Sequence, residues 1–506
     1  MGVLSGWDRL RFRGTLRMLA NVTGLNLFLG YTRHLLKDFG HYAHEVSRLV
    51  RGSSLAAAES AGRPVEHLDS PSVCKEGLAR QIAKRDGITD GLIGVLTAVE
   101  PCWSYDIRSN RQSGYLELVR AYRKCQHLYH YQIHPVFGFM HVRVQTWLPF
   151  NLNVCMNGRE WLARQMHQKK IAYQQADNCF TWISDLAKAQ SLADRQTTFD
   201  WATALGKVAA AANPARQTIV GEYNIPYYWS LDQSEWASDV MFNQAKDLDA
   251  LYPSLIRHGM ESLGSKEVMR FLGRSVSAGI TPRFAGQVVS DIREKPEKYE
   301  GMRLKHRVNR NSVKMYNKAG SVLRVETTLN DMRDLQAPRV IDGKKVYKRM
   351  RKGVADIPRR AQVSQGSNSR YLEAHAAVKT PLALKTLTEK LCERVKWKGK
   401  TVRGLNLLGA QDAALLAAVG RGEYLIAGFR NRDLQERLFA KPAADDAESR
   451  RRSGQITRKL RMLRAHGLIA KLPNTHRYRV SDKGQQVVAA LHAAREADIQ
   501  TLTKAA

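Results

Sequence analysis

Closely spaced cysteines are missing from this sequence. Its 506 residues include six cysteines, and none of them forms a Cys-x-x-Cys pair. Zinc knuckles and disulfide-stapled small domains depend on such spacing, so the sequence gives no indication of either. We interpret the six as reduced core residues; they stand at positions 74, 102, 125, 155, 179 and 392.

Long apolar runs and several common enzyme motifs are missing as well. No stretch approaches the roughly 18 apolar residues that a membrane-spanning helix needs, and the opening MGVLSGWDRLRFRG lacks the apolar core of a signal peptide. We therefore expect a cytoplasmic protein with no membrane partner. The absence of GxxxxGK[ST], of GxGxxG after a strand and of GxSxG disfavours ATP hydrolysis, dinucleotide redox chemistry and serine hydrolysis.

Acidic residues are scarce relative to basic ones. The chain has 47 Asp and Glu against 80 Lys and Arg, a formal net charge of +33. Such a charge exceeds what solubility requires and attracts polyanions. Residues 283–360 carry 21 Lys and Arg against 9 Asp and Glu, and residues 430–479 carry 14 against 5. These two windows hold 21 of the 33 net charges, so contact with phosphate is expected there.

The C-terminal part has the pattern helix, basic helix, basic hairpin. Residues 431–439 form a short amphipathic helix pattern, residues 454–472 place apolar residues at helical spacing, and residues 476–480 alternate as a short strand after a turn at Pro473 and Asn474. Residues 404–495 thereby resemble the winged helix-turn-helix domains of bacterial transcription regulators. The resemblance implies that the 454–472 segment lies in the major groove of DNA. The predicted nucleic-acid contacts are Arg458, Lys459, Arg461, Arg464, Arg477 and Arg479. A surface helix that is charged for solubility is the alternative.

The strongest candidate for chemistry lies in residues 311–330, NSVKMYNKAGSVLRVETTLN. Strand periodicity puts Lys314, Tyr316 and Lys318 on one face of a first arm, and a turn at residues 318–321 leads to a second arm. There Arg324, Glu326 and Thr328 share a face, while the apolar residues of both arms face a core. The carboxylate suits a divalent cation, and the cations suit a phosphate. Arg307 and Arg310, just before the hairpin, complete the predicted phosphate contacts.

The order K-x-Y-x-K followed by R-x-E resembles a hairpin of rolling-circle replication initiators from plasmids and filamentous phages. The resemblance covers some twenty residues and implies metal-assisted nicking of DNA through a tyrosine, which assigns catalytic roles to Tyr316 and Glu326. The sequence departs from that class because no His-hydrophobic-His motif occurs: two residues separate His127 from His130. The alternative is a phosphate-binding hairpin in which Glu326 pairs with a neighbouring cation.

A second acidic constellation lies in the predicted N-terminal sheet. Glu100, Asp106 and Glu117 stand at strand ends and across a hairpin, where metal-dependent nucleases collect ligands. We name Glu100 and Asp106 as further catalytic candidates, Glu326 and Glu100 as candidate ligands, and Mg²⁺ or Mn²⁺ as the candidate cofactor. Exposed carboxylates without a catalytic role are the alternative.

Two other groups of residues in this sheet allow two interpretations each. The histidines at 127, 130, 134 and 141 fit either a metal site or a sheet core, and strand alternation favours the core. An aromatic series fits either a platform for single-stranded bases or the same core. The series is Tyr129, Tyr131, Phe137, Phe139, Trp147 and Phe150, mixed with Arg143.

The predicted fold class is α+β with several domains, because 506 residues exceed what one core supports. Residues 91–158 predict at least three or four strands, and helical periodicity dominates after residue 158. The predicted boundaries are 1–70 for an N-terminal helical segment and connection, 71–175 for a mixed α/β core rich in β-sheet, 176–280 for a central helical region, 281–375 for a basic β-hairpin region, 376–403 for a linker helix, and 404–506 for the winged helix.

Three functions follow as hypotheses. The first is a mobile-element enzyme that nicks or cleaves one DNA strand while the winged helix binds the duplex. The second is a non-catalytic DNA-binding regulator, although some 400 residues before the winged helix count against it. The third is an RNA-binding protein that partners a structured RNA.

Overall fold

A computed structural model of the chain describes residues 2–70, 72–273, 288–294, 300–376, 384–407, 409–421, 424, 428–439, 441–473 and 475–496. Parts of the predicted basic segment, residues 283–287 and 295–299, lie outside the described residues, as does Asn474 of the predicted turn. The chain is α+β, as predicted, with a large mixed sheet. Among the described residues, no helix has the length and apolarity needed to cross a bilayer.

Strands are numbered here in chain order. They are β1 (Gly2–Leu16), β2 (Val65–Leu68), β3 (Gly91–Ser109), β4 (Leu116–His134), β5 (Gly138–Gln145), β6 (Leu152–Asn157), β7 (Tyr173–Ala176), β8 (Cys179–Ile183), β9 (Tyr227–Met241), β10 (Val288–Glu294), β11 (Glu300–Val308), β12 (Asn311–Lys318), β13 (Val322–Leu329), β14 (Gln336–Ile341), β15 (Lys344–Arg349), β16 (Val395–Trp397), β17 (Lys400–Val402), β18 (Ile469–Lys471) and β19 (Tyr478–Val480).

Helices are numbered in the same way. They are α1 (Val22–Tyr31), α2 (Phe39–Ser60), α3 (Lys75–Arg85), α4 (Gly158–Gln168), α5 (Leu186–Arg195), α6 (Trp201–Ala212), α7 (Ala215–Val220), α8 (Ala245–Glu261), α9 (Ser265–Phe271), α10 (Ile357–His375), α11 (Leu384–Cys392), α12 (Ala410–Val419), α13 (Asn431–Leu438), α14 (Asp446–Ala465) and α15 (Asp482–Glu496).

The chain divides into two compact units, each built from two separate stretches. The first unit comprises Met1–Met241 and Glu326–Gln365, and the second comprises Phe242–Val325 and Gly366–Ala506. The chain passes from one unit to the other three times: after Met241 at the end of β9, within β13 and within α10.

The sheet of the first unit has the order β13, β9, β1, β6, β5, β4, β3, β2, where β13 contributes its last residues. The strands from β9 to β3 pair antiparallel, and β2 pairs parallel with β3. Helices α4, α5 and α6 pack on one face over the buried side chains of Leu10 and Phe12. Phe12 contacts Trp201 of α6 with ring centroids 5.0 Å apart. The four strands between residues 91 and 157 agree with the sequence prediction.

The predicted helical start of residues 1–70 is wrong in its first part. The structure has the strand β1 there, followed by the helices α1 and α2. Buried Leu10 and Phe12 alternate with exposed Arg9 and Arg11, a period of two that is typical of a strand with one covered face. The partners that complete this strand are β6 and β9, which lie far away in the sequence.

The predicted central helical region, residues 176–280, also contains strands. A short hairpin forms from β7 and β8, and the 15-residue strand β9 precedes helix α8. The apolar residues from Trp236 to Val240 match helical spacing, but both faces of this stretch of β9 are largely buried, so their spacing does not distinguish helix from strand. Pairing with β1 decides the conformation, with Trp236 directly opposite Trp7.

The second unit contains the strands β10, β11, β12 and the start of β13, paired in that order. The hairpin predicted for residues 311–330 is present as β12 and β13, and its turn has positive φ at Ala319 and Gly320. Helices α8 and α9 pack against β11. A separate apolar core joins the C-terminal elements, with Phe429, Leu434, Ile456 and Leu463 fully buried in it.

Candidate functional sites

Three carboxylates from adjacent strands of the first unit come together at one place. Asp8 lies on β1, Glu235 on β9 and Glu326 in the second half of β13. One oxygen from each lies within 4.8 Å of the other two. We call these three residues the acidic cluster. The sequence identified Glu326 and missed the other two.

An irregularity in strand pairing places Asp8 in the acidic cluster. The register between β1 and β9 shifts between Trp7 and Arg9, so Asp8 has no partner of its own in the ladder and forms a β-bulge. Bulges redirect a side chain and often lie beside functional sites. Gly158, at the start of α4, contacts this region so closely that an added Cβ would lie 2.3 Å from the carbonyl oxygen of Trp7.

Amide side chains orient the acidic cluster. Asn178 donates from Nδ2 to both carboxylate oxygens of Asp8, at 2.7 and 3.0 Å, and Asn157 Nδ2 lies 3.5 Å from Asp8 Oδ1. Gln233 donates to Glu235 Oε1 at 3.1 Å. These amides hold the two acids in position and carry no charge of their own.

The negative charge of the acidic cluster affects the pKa of a neighbouring cation, Arg9. Packing around the solvent-accessible Arg9 side chain partly desolvates it and so lowers its pKa, but nearby acidic groups, Glu235 and Asp8 among them, outweigh this effect and raise it. Glu326 and Asp8 are 1% and 4% exposed. Buried carboxylates this close together repel one another unless a cation or a shared proton intervenes.

The donor set fits a hard divalent cation. Mg²⁺ and Ca²⁺ bind carboxylate oxygens, and ligands on opposite sides of the ion lie about 4.2 Å apart for Mg²⁺ and about 5 Å apart for Ca²⁺. Three oxygens that all lie within 4.8 Å of one another can therefore bind one ion after small side-chain adjustments.

Glu100 belongs to a different set of contacts. Its carboxylate accepts a hydrogen bond from the Tyr129 hydroxyl at 2.6 Å and forms ion pairs with Arg143 at 2.9 Å and Lys75 at 3.3 Å. Burial raises the pKa of Glu100, but the hydrogen bond from Tyr129 and the charge of Arg143 lower it further than burial raises it. Six strand spacings separate β3 from β13, about 29 Å, so Glu100 and Glu326 do not share an ion.

Asp106 and Glu117, the other predicted acids of the β3–β4 hairpin, each have a partner of their own. Asp106 pairs with Arg123 at 3.4 Å and lines a 460 Å³ pocket with Trp147. Glu117 accepts a hydrogen bond from Asn110 Nδ2 at 2.5 Å and lies opposite Arg108 in the ladder. The structure does not bring Glu100, Asp106 and Glu117 together.

The predicted histidine and aromatic groups are mostly core residues. Burial is the main reason that the pKa of His127, of His130 and of His141 is lowered to about 4. His127 lies near Cys125 and Cys102, whose sulfur atoms are 2.8 Å apart, and these three form a second group with possible metal ligands among the described residues. In the aromatic series, at most 7% of the surface of each of four members is exposed: Tyr129, Tyr131, Phe137 and Phe150.

In the second unit, cations line one face of β10, β11 and β12. Lys305 lies opposite Lys314, and Arg293 lies opposite Arg303. Together with Arg307 they form what we call the cationic strand face. Burial and the charges of Lys314 and Arg303 lower the pKa of Lys305. Among the described residues of this face, five cations accompany one acid, Asp291, which pairs with Arg303 at 3.1 Å and Arg293 at 3.2 Å.

Part of this face is concave. A 230 Å³ pocket is lined by side chains of β10 and β11, namely Val289, Asp291, Arg293, Arg303, Lys305 and Arg307. The excess of cations over acids makes the pocket attractive for an anion of phosphate size. Arg310, at the turn after β11, is exposed.

Other residues of the predicted hairpin are buried. Tyr316 is 6% exposed and Lys318 is 8% exposed, and the ammonium of Lys314 lies 5.4 Å from the centre of the Tyr316 ring. Arg324 has no exposed surface. The face of the hairpin that the sequence predicted to be polar is therefore covered, and among its predicted phosphate contacts Lys314 is the least buried.

The C-terminal elements present cations on a long helix and a hairpin. Helix α14 begins at Asp446, eight residues before the predicted start, because Asp445 caps it by accepting a hydrogen bond from the Glu448 amide. It ends at Ala465, and Gly467 with φ of 73° leads into β18. The predicted contacts on these elements are exposed or half-buried: Arg458, Lys459, Arg461, Arg464, Arg477 and Arg479.

Comparison of the chain with family models, with curated proteins and with solved structures found no match.

Proposed function

We propose that this chain binds nucleic acid and cleaves a phosphodiester bond of one strand with a divalent cation, as a nicking enzyme of a mobile-element type. The acidic cluster is the observation that carries the proposal. Three carboxylates on adjacent strands, two of them almost fully buried, are a costly arrangement that a bound cation stabilises.

In this proposal Asp8, Glu235 and Glu326 hold Mg²⁺ or Mn²⁺. The bound cation supplies positive charge against the phosphate that is attacked and lowers the cost of charge build-up in the transition state. Asn157 and Asn178 keep Asp8 in position, since both of their side-chain amides point to its carboxylate. Arg9 offsets part of the remaining negative charge.

Two surfaces of the second unit are proposed to hold the polyphosphate chain. The cationic strand face supplies a concave anion site. Helix α14 and the hairpin of β18 and β19, which follow the order of a winged helix, are proposed as the duplex reader. The resemblance to regulators assigns the groove contacts to α14.

The resemblance to rolling-circle initiators assigns the attacking group to Tyr316. In that reaction the Tyr316 hydroxyl oxygen forms a bond to phosphorus, one sugar oxygen leaves with a proton, and the protein stays joined to the cut strand. Attack by water breaks the same bond and leaves no adduct. The two versions are therefore distinguishable by the product.

The experiment is incubation of the purified chain with labelled single-stranded DNA, duplex DNA and folded RNA, each with Mg²⁺, Mn²⁺ or EDTA. We expect strand cleavage with metal and none with EDTA. A covalent adduct that Tyr316→Phe abolishes assigns the tyrosine, and an adduct that persists moves the nucleophile elsewhere. Duplex binding without cleavage under every condition would favour a regulator, and a preference for folded RNA would favour an RNA partner.

A second prediction concerns the duplex reader. Arg458→Ala with Arg461→Ala removes two cations from α14, so we expect weaker duplex binding and a salt-dependence slope smaller by about two, roughly one unit per lost phosphate contact. Fluorescence anisotropy at several salt concentrations measures both. The matched control is Arg80→Ala with Arg85→Ala on α3, where both cations pair with acids and the slope stays unchanged. An unchanged slope in the α14 variant would show that this helix does not contact the phosphate backbone.

A further inference from the structure

The outer half of the β3–β4 hairpin exposes two large aromatic side chains. Trp103 is 51% exposed and Tyr122 is 64% exposed, and they lie directly opposite each other in the ladder. Their ring centroids are 5.2 Å apart and their planes meet at 63°. Aromatic side chains usually contribute large apolar area to a core or an interface, so an exposed pair on a regular strand indicates a binding surface.

Cations flank this pair on the same face of the hairpin. Arg120 and Lys124 each lie two residues from Tyr122 on β4, which places all three on one face of the strand. The guanidinium of Arg120 lies 4.8 Å from the centre of the Trp103 ring. All four side chains are exposed. We call Trp103, Arg120, Tyr122 and Lys124 the outer stripe.

The cations of the outer stripe are available for a ligand. Within the described part of the chain, neither Arg120 nor Lys124 forms an ion pair with an acid. The neighbouring Arg123 and Asp106, by contrast, pair with each other. The segment 101–124 carries five cations and two acids, so its partner is expected to be anionic.

Alternating rings and cations fit an unpaired nucleic-acid strand. Bases stack on aromatic rings irrespective of sequence, while Arg and Lys contact the phosphates between them. In a duplex the faces of the bases are already stacked, so a duplex offers the outer stripe its phosphates alone. A lipid surface would call for more apolar area than two rings flanked by charges provide.

We propose that the outer stripe binds a single-stranded segment of nucleic acid, with unpaired bases on Trp103 and Tyr122 and phosphates on Arg120 and Lys124. This inference rests on the proposed nucleic-acid function and adds to it a binding site for single-stranded nucleic acid. The sequence did not single out this stripe; the aromatic series that it offered as either a base platform or a core lies further along the sheet and is mostly buried.

The test uses the full chain and a fluorescein-labelled 20-nucleotide oligothymidylate, with EDTA present so that no cleavage occurs. We expect Trp103→Ala with Tyr122→Ala to weaken binding at least tenfold while the salt slope stays unchanged, because stacking releases no counterions. Arg120→Ala with Lys124→Ala should lower the slope by about 1.4, since each single-strand phosphate contact contributes about 0.7.

Two controls separate the possible failures. Tyr115→Ala removes another exposed tyrosine of the same hairpin, 76% exposed and outside the outer stripe, and should leave affinity unchanged. Affinity for a blunt duplex should change less than threefold in the aromatic variant. If the aromatic variant binds oligothymidylate with wild-type affinity, the inference is wrong and the proposed function is unaffected. The same conclusion holds if this variant loses binding to anionic vesicles but keeps its binding to the oligonucleotide. A wild-type chain that binds neither single strands nor duplex overturns the proposed function.

Discussion

Glu326→Gln is expected to abolish metal-dependent cleavage, with a rate at least about a thousandfold lower than that of the wild type. Glutamine keeps the size of the side chain and removes one of the three negative charges that we propose hold the cation. Because Glu326 is 1% exposed, solvent does not replace the lost charge. The rate is measured with a saturating labelled strand, and raising the Mn²⁺ concentration is expected to restore part of it.

The control for this variant is Asp106→Asn. Asp106 is a half-exposed acid of the same unit that pairs with Arg123 and stands apart from the acidic cluster. We expect its cleavage rate to stay within about twofold of the wild type. Equal losses in the two variants would mean that general negative charge matters and that the acidic cluster has no special role.

Arg360→Met is expected to destabilise the first unit by about 3 kcal/mol, the scale for leaving buried acceptors of a charged donor without their partner. Arg360 is 2% exposed. It donates to the Leu231 carbonyl, to Ser234 Oγ at 2.7 Å and to the Leu329 carbonyl. These acceptors lie on β9 and β13, so one side chain ties together the two strands that carry Glu235 and Glu326.

Urea unfolding followed by tryptophan fluorescence measures this change. Eight of the nine tryptophans lie within residues 1–241, so the signal reports the first unit. Arg359→Met is the matched control, since Arg359 is more exposed and donates to the Gln336 carbonyl and to Gln362. We expect the control to lose less than about 0.5 kcal/mol, as is usual for surface substitutions. Similar losses in both variants would show that Arg360 does not tie the strands together.

Burial also shifts the acid-base behaviour of this side chain. It lowers the pKa of Arg360 to about 9, with Asp232 opposing the shift. The carbonyl acceptors therefore hold a cation that is costly to bury. Removal of the side chain affects both strands because its acceptors lie on β9 and on β13.

Local pattern predicted those parts of the molecule whose neighbours are close in sequence. The β3–β4 hairpin and the β12–β13 hairpin are formed by adjacent segments, and turn residues with positive φ such as Ala319 and Gly320 mark the second. The helix α14 and the short hairpin after it follow from apolar spacing and a glycine, for the same reason. The bounds of α14 differ from the predicted 454–472 segment: the helix begins earlier because its N-terminal turns are rich in charged residues and carry no apolar spacing, and residues 469–471 after Gly467 form β18.

The acidic cluster could not be predicted because its geometry depends on pairing between distant segments. Asp8 and Glu235 come together through the β1–β9 ladder, in which Arg9 lies opposite Glu235, 226 residues later. The bulge that redirects Asp8 has no glycine or proline to signal it. Glu235 lies in a stretch whose apolar residues also fit a helix, so its position in a strand became visible only with its partner.

Exposure was the other property that the sequence did not reveal. Arg324 and Tyr316 lie on the predicted polar face of a strand, yet both are buried. Trp103 and Tyr122 are large aromatic residues of the kind that usually lies in a core, yet both are exposed. Alternation along a strand separates two faces, but it does not show which of them another element covers.

The most direct test of the central claim is a calorimetric titration of Mn²⁺ into the metal-free chain. We predict binding of one ion at the acidic cluster that is lost in Asp8→Asn and in Glu326→Gln and retained in Glu100→Gln, whose carboxylate is already paired with Arg143 and Lys75. Unchanged binding in the first two variants, or no binding to the wild type, would contradict the account.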